Sequence, residues 1–396
     1  MSVVSAGVRD VAVKTGEWRE DPGFGVYVHI PFCRHRCHYC DFNTYEGLES
    51  VYEDYVSALV EHIGSLQGTF PPATSVFFGG GTPTILAPAD LGRVLRAVHA
   101  RVGIAPGAEV TVEANPETVD EARFEALLGH GFNRVSIGVQ SLVPRVLAGL
   151  GRTHSPETAL GALSSARRAG FEDINADLIY GSSWEEPQDW RTSLEGVIET
   201  GPDHISAYAL TVEEGTPLGT WVNTGRIPDV DPDAQADRYE VARELLETAG
   251  YRRYEVSNWA RRGRASAHNV LYWSAGDYLG VGAGAHGHIA GRRYWSQRLP
   301  RRFIEAVHNG AAVEAGAEVL GSEQRASEGL MLGLRLTSGV DTVAFERRFG
   351  ASSLSTRGPA IRELIADGML ERRGALLRVP AAELFRLDAV LTRLLA

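Results

Sequence analysis

The sequence predicts an α/β protein built as a partial (β/α)6 barrel followed by a small winged-helix-like domain. Two observations predict it. From residue 24 to about residue 250, short β-branched runs alternate with amphipathic helical stretches. Strands joined by helical crossovers lie parallel, and the helices cover the sheet. After about residue 300 the alternation stops and the pattern becomes helix, turn and short hairpin. A complete (β/α)8 barrel is the alternative architecture.

In chain order, residues 1–22 have weak periodicity and read as a loose N-terminal segment. The barrel and a segment appended to it are expected over 23–290, and the C-terminal domain over 291–396. The strand runs are FGVYVHI (24–30), SVFFGG (75–80), EVTVEA (109–114), RVSIGV (134–139), DINADLIY (173–180) and HISAYAL (204–210). Helical stretches between them include VYEDYVSALVEHIGSL, PADLGRVLRAVHAR, TVDEARFEALLGHG, SPETALGALSSARRAG and DAQADRYEVARELLETAG. The fourth is well punctuated: Ser155 at the N-cap, Pro156 at the first helical position, Gly170 at the end. Further on, SEQRASEGLMLGLR reads as a helix, RGPAIRELIADGMLERRGALLRVP as helix, turn and hairpin, and AAELFRLDAVLTRLL as a closing helix. In barrels, functional side chains sit at the C-terminal ends of the strands.

Composition is that of an ordinary globular protein, 44% hydrophobic and 22% charged. The longest apolar runs are too short to span a bilayer. The first residues, MSVVSAGVRDVAVKTGEWRED, contain no apolar signal core and carry acids. A cytoplasmic location is therefore expected, where thiols stay reduced. The net charge of −11 argues against sequence-independent binding to nucleic acid. RRYWSQRLPRR, at 292–302, is a local basic patch.

The chain has three cysteines, and all lie in one window: Cys33, Cys37 and Cys40, spaced C-x3-C-x2-C. An odd number of thiols with no secretory signal does not read as a disulfide scaffold. Three thiolates on one loop can hold three irons of a 4Fe–4S cluster, which ordinarily takes four. The fourth iron is then open to an exogenous ligand. This is the arrangement required for S-adenosylmethionine (SAM) to chelate the open iron and undergo reductive cleavage of its C–S bond. A zinc site completed by His35 or His38 is the competing reading, although zinc spacings usually come as paired C-x2-C units.

Gly79-Gly80-Gly81-Thr82 follows the second strand run. Glycines there let backbone approach a ligand and expose N–H groups. A phosphate loop would need the G-x4-G-K-[ST] pattern, which is missing; a plain tight turn is the simpler alternative. Glu113, Gln140, Asp177 and Ala209 fall at strand ends, and Arg152 just after one. Taken alone, such a glutamate is as readily a solvated group or a helix cap. Tyr27 and Tyr39 flank the cysteines and can simply exclude water.

The stretch YVHIPFC, followed by CHYCDF, resembles the start of the oxygen-independent coproporphyrinogen III oxidase family of radical SAM proteins. Within it the chain is more similar to HemW-type haem chaperones than to HemN-type oxidases, and the likeness runs from about Phe24 to the C-terminus. The resemblance implies the partial six-stranded barrel. It implies that Gly80, Gly81 and Thr82 meet the amino and carboxylate groups of SAM, and that Glu113 meets its ammonium or ribose. It assigns Gln140 and Asp177 to the ribose, Arg152 to the carboxylate, and Tyr27, Tyr39 and Ala209 to SAM and its adenine. Bidentate pairing of guanidinium with carboxylate gives Arg152 a physical reason for its role. Where the oxidases carry a further cysteine, this chain has Phe42, and its N-terminal segment is shorter than theirs. Both differences count against coproporphyrinogen oxidation, the alternative function. HNVLYW (268–273) matches an HNxxYW motif of the chaperones. It makes His268 a candidate haem ligand, beside the alternatives His286 and His288; a hydrogen-bonded structural histidine is the other reading. The glycine-rich GVGAGAHG (280–287) either admits a flat ligand or forms a compact connection. The expected cofactors are a 4Fe–4S cluster, SAM and haem. The expected partners are an electron donor and haem-accepting proteins such as respiratory cytochromes.

Overall fold

The computed structural model describes residues 14–395. Six parallel strands form its centre: β1 (Phe24–Ile30), β2 (Ala73–Gly80), β3 (Ile104–Ala114), β4 (Arg134–Gln140), β5 (Ile174–Tyr180) and β6 (His204–Ala209). They match the six runs read from the sequence. Helices such as Tyr52–Ser65, Pro88–Arg101 and Pro156–Ala169 connect them. Ser155 caps the last of these by accepting from Thr158 N, and Gly170 ends it in a left-handed conformation.

The barrel does not close, which corrects the eight-stranded alternative. At the far edge, β6 pairs with the antiparallel β7 (Arg252–Arg253) and β8 (Asn258–Ala260) ribbon through β8. At the other edge, β1 pairs in parallel with β9 (Asp277–Val281), which the sequence reading did not identify as a strand. The antiparallel strands β10 (His286–Ile289), β11 (Arg292–Ser296) and β12 (Glu314–Val319) extend the sheet beyond β9. The boundary expected at 290/291 thus falls between two hydrogen-bonded strands. A second core, with Leu330, Phe345, Leu364, Leu377 and Val390 buried in it, gathers the chain from Ala326 onward. Its helices (Ser322–Gly333, Thr342–Phe349, Gly358–Ala366) and the small sheet of β13 (Val340–Asp341), β14 (Glu371–Arg373) and β15 (Leu376–Arg378) make the winged-helix-like domain.

The two faces of the parallel sheet differ chemically. Val26, Val28, Val76, Phe78, Val110, Val112, Val135 and Ile137 are buried in the main apolar core, under the helices. The alternate residues face inward and are largely polar. In register they run Tyr27, Phe77, Thr111 and Arg134 across one layer. The floor of this interior is ionic. Arg134 lies 3.4 Å from Asp173 and 4.0 Å from Glu109, and Lys14 Nζ lies 2.8 Å from Glu109 and 2.6 Å from Asp173.

Residues 1–13 of the expected loose segment lie outside the described residues. Residues 14–22 form no helix or strand, yet they are tied down. Lys14 joins the ionic floor, Trp18 packs against Phe345 of the C-terminal domain, and Glu20 pairs with Arg347. Glu109 also accepts from Ser266 Oγ and from the backbone N–H groups of Ala267 and His268, so it caps the helix Ala267–Trp273. Removing one partner from a buried charge network leaves the others uncompensated. Glu109→Gln is therefore expected to lower stability by about 3 kcal/mol, read as a lower urea midpoint. An unchanged midpoint would mean that Asp173 alone compensates Lys14 and Arg134.

Candidate cofactor site

A cavity of about 490 Å³ opens at the C-terminal ends of β1–β6. It is lined by Cys33, Cys37, Cys40, Tyr39, Gly80, Gly81, Thr82, Glu113, Gln140, Arg152, Asp177 and Ala209. Twelve of the fourteen candidate residues named from the sequence therefore meet in one place. Tyr27 and His268 do not.

The cysteine loop is fixed from both sides. Cys33 N donates to Tyr45 O (2.9 Å), Cys40 N to Cys37 O (3.2 Å) and His38 N to Leu150 O (3.1 Å). The glycine turn lies against the loop entrance, with Gly81 N donating to Ile30 O and Thr82 N to Phe32 O, while Gly80 N donates to Glu113 Oε2. These N–H groups are therefore spent within the protein, contrary to the expectation that the turn exposes them. What the glycines allow is close approach. A Cβ on Gly81 would stand 2.5 Å from Phe32 O, and one on Gly80 (φ +114°) 2.3 Å from the His29 ring.

The sulfurs carry specific partners. Thr82 Oγ1 is 3.6 Å from Cys33 Sγ, Arg152 Nη1 3.5 Å from Cys37 Sγ and Thr44 Oγ1 3.9 Å from Cys40 Sγ. Burial pushes the Cys33 thiol up to about 11, so its thiolate would need a positive group beside it. Among the described residues no three His, Cys, Asp or Glu side chains converge as a single-ion site. Three sulfurs spread along one loop suit a cluster, in which each thiolate holds a different iron.

Opposite the loop, Glu113 faces the cavity with Oε2 accepting from Gly80. Burial and the nearby Asp177 push its carboxyl up to about 8. Such a group takes its charged form readily only when a cationic ligand arrives. Asp177 accepts from Ser136 Oγ (2.6 Å) and from Asn175 Nδ2 (2.8 Å). Gln140 sits at a register shift between β4 and β5, in a left-handed conformation (φ 64°) that is strained for a residue with a side chain. Arg152 donates to Asn115 Oδ1 (2.8 Å) and Gly138 O (2.9 Å) besides Cys37.

Two wiring residues were not singled out from the sequence. Asn115 Nδ2 donates to Thr82 Oγ1 (3.0 Å) while its Oδ1 accepts from Arg152, so it couples the glycine turn to the arginine. Its position two residues beyond Glu113 was the available signal. Asn43 donates to Ala283 O and Arg298 O, both at 3.0 Å, and joins the loop exit to the turn between β9 and β10 and to the segment that follows β11.

Tyr27 lines a second cavity of about 680 Å³, on the β9–β11 side. Its hydroxyl is 2.8 Å from His29 Nδ1. His268 is buried behind Phe77, with ring centroids 5.2 Å apart. Its Nδ1 lies 2.8 Å from Ser75 Oγ and its Nε2 2.9 Å from Tyr272 OH. Both ring nitrogens are thus engaged in a structural network. The segment 280–287 is a compact connection: a Cβ on Gly280 would stand 1.8 Å from His286 O, and one on Gly284 2.2 Å from Asn43.

Residues 27–195 match the family model described as the Radical SAM superfamily, and 320–386 that of the HemN C-terminal domain. The heme chaperone HemW of Mycobacterium tuberculosis (strain ATCC 25618 / H37Rv) is 40% identical over 377 residues, 94% of this chain and 95% of that protein. The heme chaperone HemW of Escherichia coli (strain K12) is 36% identical over 360 residues, 88% and 92% of the two chains. The mitochondrial radical S-adenosyl methionine domain-containing protein 1 of Mus musculus is 36% identical over 386 residues, 93% and 87% of the two. Among solved structures, coproporphyrinogen III oxidase (HemN) from Escherichia coli, titled a radical SAM enzyme, superposes with a TM-score of 0.81. The match covers 97% of this chain and 91% of that one at 22% identity, a likeness of fold.

Proposed function

The chain belongs to the radical SAM superfamily and, within it, to the HemW haem chaperone family, and on that footing we propose that it binds haem and hands it to acceptor proteins such as respiratory cytochromes. It does so with a 4Fe–4S cluster held by Cys33, Cys37 and Cys40, with SAM in the same cavity and an external electron donor. The observation that carries this reading is the meeting of the three thiols, the glycine turn and the strand-end polar groups round one cavity, in a chain similar over most of its length to named haem chaperones.

When bound, the cluster supplies an open iron as an anchor for SAM and the electron for its reductive cleavage. The protein's own contributions are positional. Glu113 takes the positive end of SAM, Arg152 its carboxylate, and Gln140 and Asp177 its ribose hydroxyls. Tyr39 packs with the apolar side chains round Val146, Leu150 and Leu210 and keeps water from the cysteine loop. No helix among the described residues is long and apolar enough to cross a membrane. A cytoplasmic site of action suits the reduced thiols that the cluster requires.

The competing reading is oxidative decarboxylation of coproporphyrinogen III. Phe42, 63% exposed where the oxidases carry a cysteine, weighs against it. Anaerobic reconstitution with iron and sulfide, followed by a haem titration and an assay for protoporphyrinogen on the same sample, separates the two. The proposal expects stoichiometric haem and no protoporphyrinogen. Turnover of coproporphyrinogen without haem binding would establish the oxidase instead.

A pH dependence follows from Glu113. Burial and Asp177 push its carboxyl up to about 8, which favours the neutral form below that pH. A cationic ligand binds the ionised form, so below that pH binding must also remove a proton. SAM affinity should then rise from pH 6 to 8, by up to about tenfold per unit, and level off above. The Glu113→Gln variant should lose this slope, and its difference from wild type cancels the titration of SAM's own amino group near 8. Identical slopes in both proteins would take Glu113 out of the SAM site.

A further inference from the structure

The inner face of the parallel sheet carries a continuous chain of hydrogen bonds behind the cysteine-loop cavity. Ser136, Asn175 and His204 are register partners on β4, β5 and β6, and all three are buried. Asn175 Nδ2 donates to Asp177 Oδ1 (2.8 Å) and also lies 2.7 Å from Ser136 Oγ and 3.0 Å from Ser206 Oγ. Asn175 Oδ1 lies 2.6 Å from His204 Nδ1, and His204 Nε2 lies 2.9 Å from Tyr254 OH. The Tyr254 hydroxyl in turn accepts from Nδ2 of Asn269 (3.3 Å), the asparagine of HNVLYW.

Chemistry places the protons along this chain. A carboxylate oxygen accepts, so the atom of Asn175 that faces Asp177 is its nitrogen and the atom that faces His204 is its oxygen. That oxygen accepts from His204, which puts the imidazole proton on Nδ1. Burial first, and the Arg134 guanidinium next, hold His204 well below its ordinary value. The ring is therefore neutral, and its Nε2 accepts from the Tyr254 hydroxyl. At the other end, Asp177 Oδ1 accepts from Asn175 and Oδ2 from Ser136 Oγ. Each carboxylate oxygen has two lone pairs, so each can accept once more. Asp177 lines the cavity, and a ligand that offers two adjacent hydroxyls suits it.

We propose that His204 is a positioning residue for SAM: it fixes the orientation of the Asn175 amide, and through it holds the Asp177 carboxylate as a double acceptor for the 2′- and 3′-hydroxyls of the ribose. The proposal rests on the SAM reading above and adds to it a residue behind the cavity wall. Without the Nδ1 proton, the Asn175 amide loses one of the two partners that fix which end faces which way. Ser136 and Ser206 do not replace it, because a hydroxyl can donate or accept. A turned amide sets its oxygen against Asp177, where two acceptors repel. Tyr254 acts one step further back, by holding His204 in the Nδ1–H tautomer. The backbone carbonyl of Tyr254 accepts from Thr337 N (2.9 Å), so the chain is anchored where the barrel meets the C-terminal domain.

The test is ligand binding to the reconstituted full chain, with SAM and its 2′-deoxy analogue measured side by side. Wild type should prefer SAM by roughly tenfold, as expected for one hydrogen bond to a charged group. Tyr254→Phe removes one hydroxyl and His204→Phe removes the ring nitrogens. Both should weaken SAM severalfold, spare the analogue, and so shrink the preference. His204→Asn keeps a donor near the Nδ1 position and should restore part of it. Melting temperatures are recorded in parallel, since a purely structural role lowers the melting temperature and affects both ligands alike. If His204→Phe does not fold, Tyr254→Phe decides alone. A wild-type preference kept in these variants, or a wild type that binds SAM without preferring it, overturns the proposal and leaves the SAM reading standing. If wild type binds no SAM, both fall together.

Discussion

The site depends on one close approach: the backbone of the Gly80–Thr82 turn lies directly on the backbone that leads into the cysteine loop. Gly81 N and Thr82 N reach Ile30 O and Phe32 O at 2.8 and 2.7 Å. Two such bonds contribute only about 1 kcal/mol each. What makes the contact decisive is that no side chain fits between the two segments, so the loop has one seat on the strand ends. From that seat the rest follows. The Thr82 hydroxyl meets the Cys33 sulfur, Asn115 links Thr82 to Arg152, and Arg152 meets Cys37. Cys33 and Cys37 are thereby placed against the ends of β2, β3 and β4, while Cys40 is held within its own loop by Thr44.

The second constraint is the division of the sheet into an apolar outer face and a polar interior. Helices cover the first. The second must be filled by groups that satisfy one another, because buried charges are costly unless paired. Glu109 does this at the floor, where it meets Lys14 and Arg134 and also caps the Ala267–Trp273 helix. One carboxylate thus connects the N-terminal strap, the barrel floor and the helix that carries His268 and Tyr272. At the mouth Glu113 faces the cavity and makes no ion pair among the described residues.

The legible parts of this molecule were those set by local sequence. The six parallel strands read clearly because a strand covered on its outer face is a short run of β-branched residues between helices. β9 did not, because DYLGV is brief and its place beside β1 is settled by packing some 250 residues apart in sequence. The cysteines, the glycine turn and the strand-end acids were legible because residue type and position coincide. Asn43 and Asn115 were not, since a small amide gives no sign of which backbone groups it will join. HNVLYW was visible as a motif, but its histidine's burial depends on Ser75 and Glu109, which come from distant strands.

On the reading proposed above, the three-cysteine loop holds a cluster with one iron open to SAM. The most direct test is the EPR spectrum of the reduced, reconstituted protein recorded with and without SAM. A ligand on the open iron changes the electronic environment of the cluster, so the account predicts a 4Fe–4S signal whose g-values shift on adding SAM. A signal that SAM leaves unchanged would contradict it.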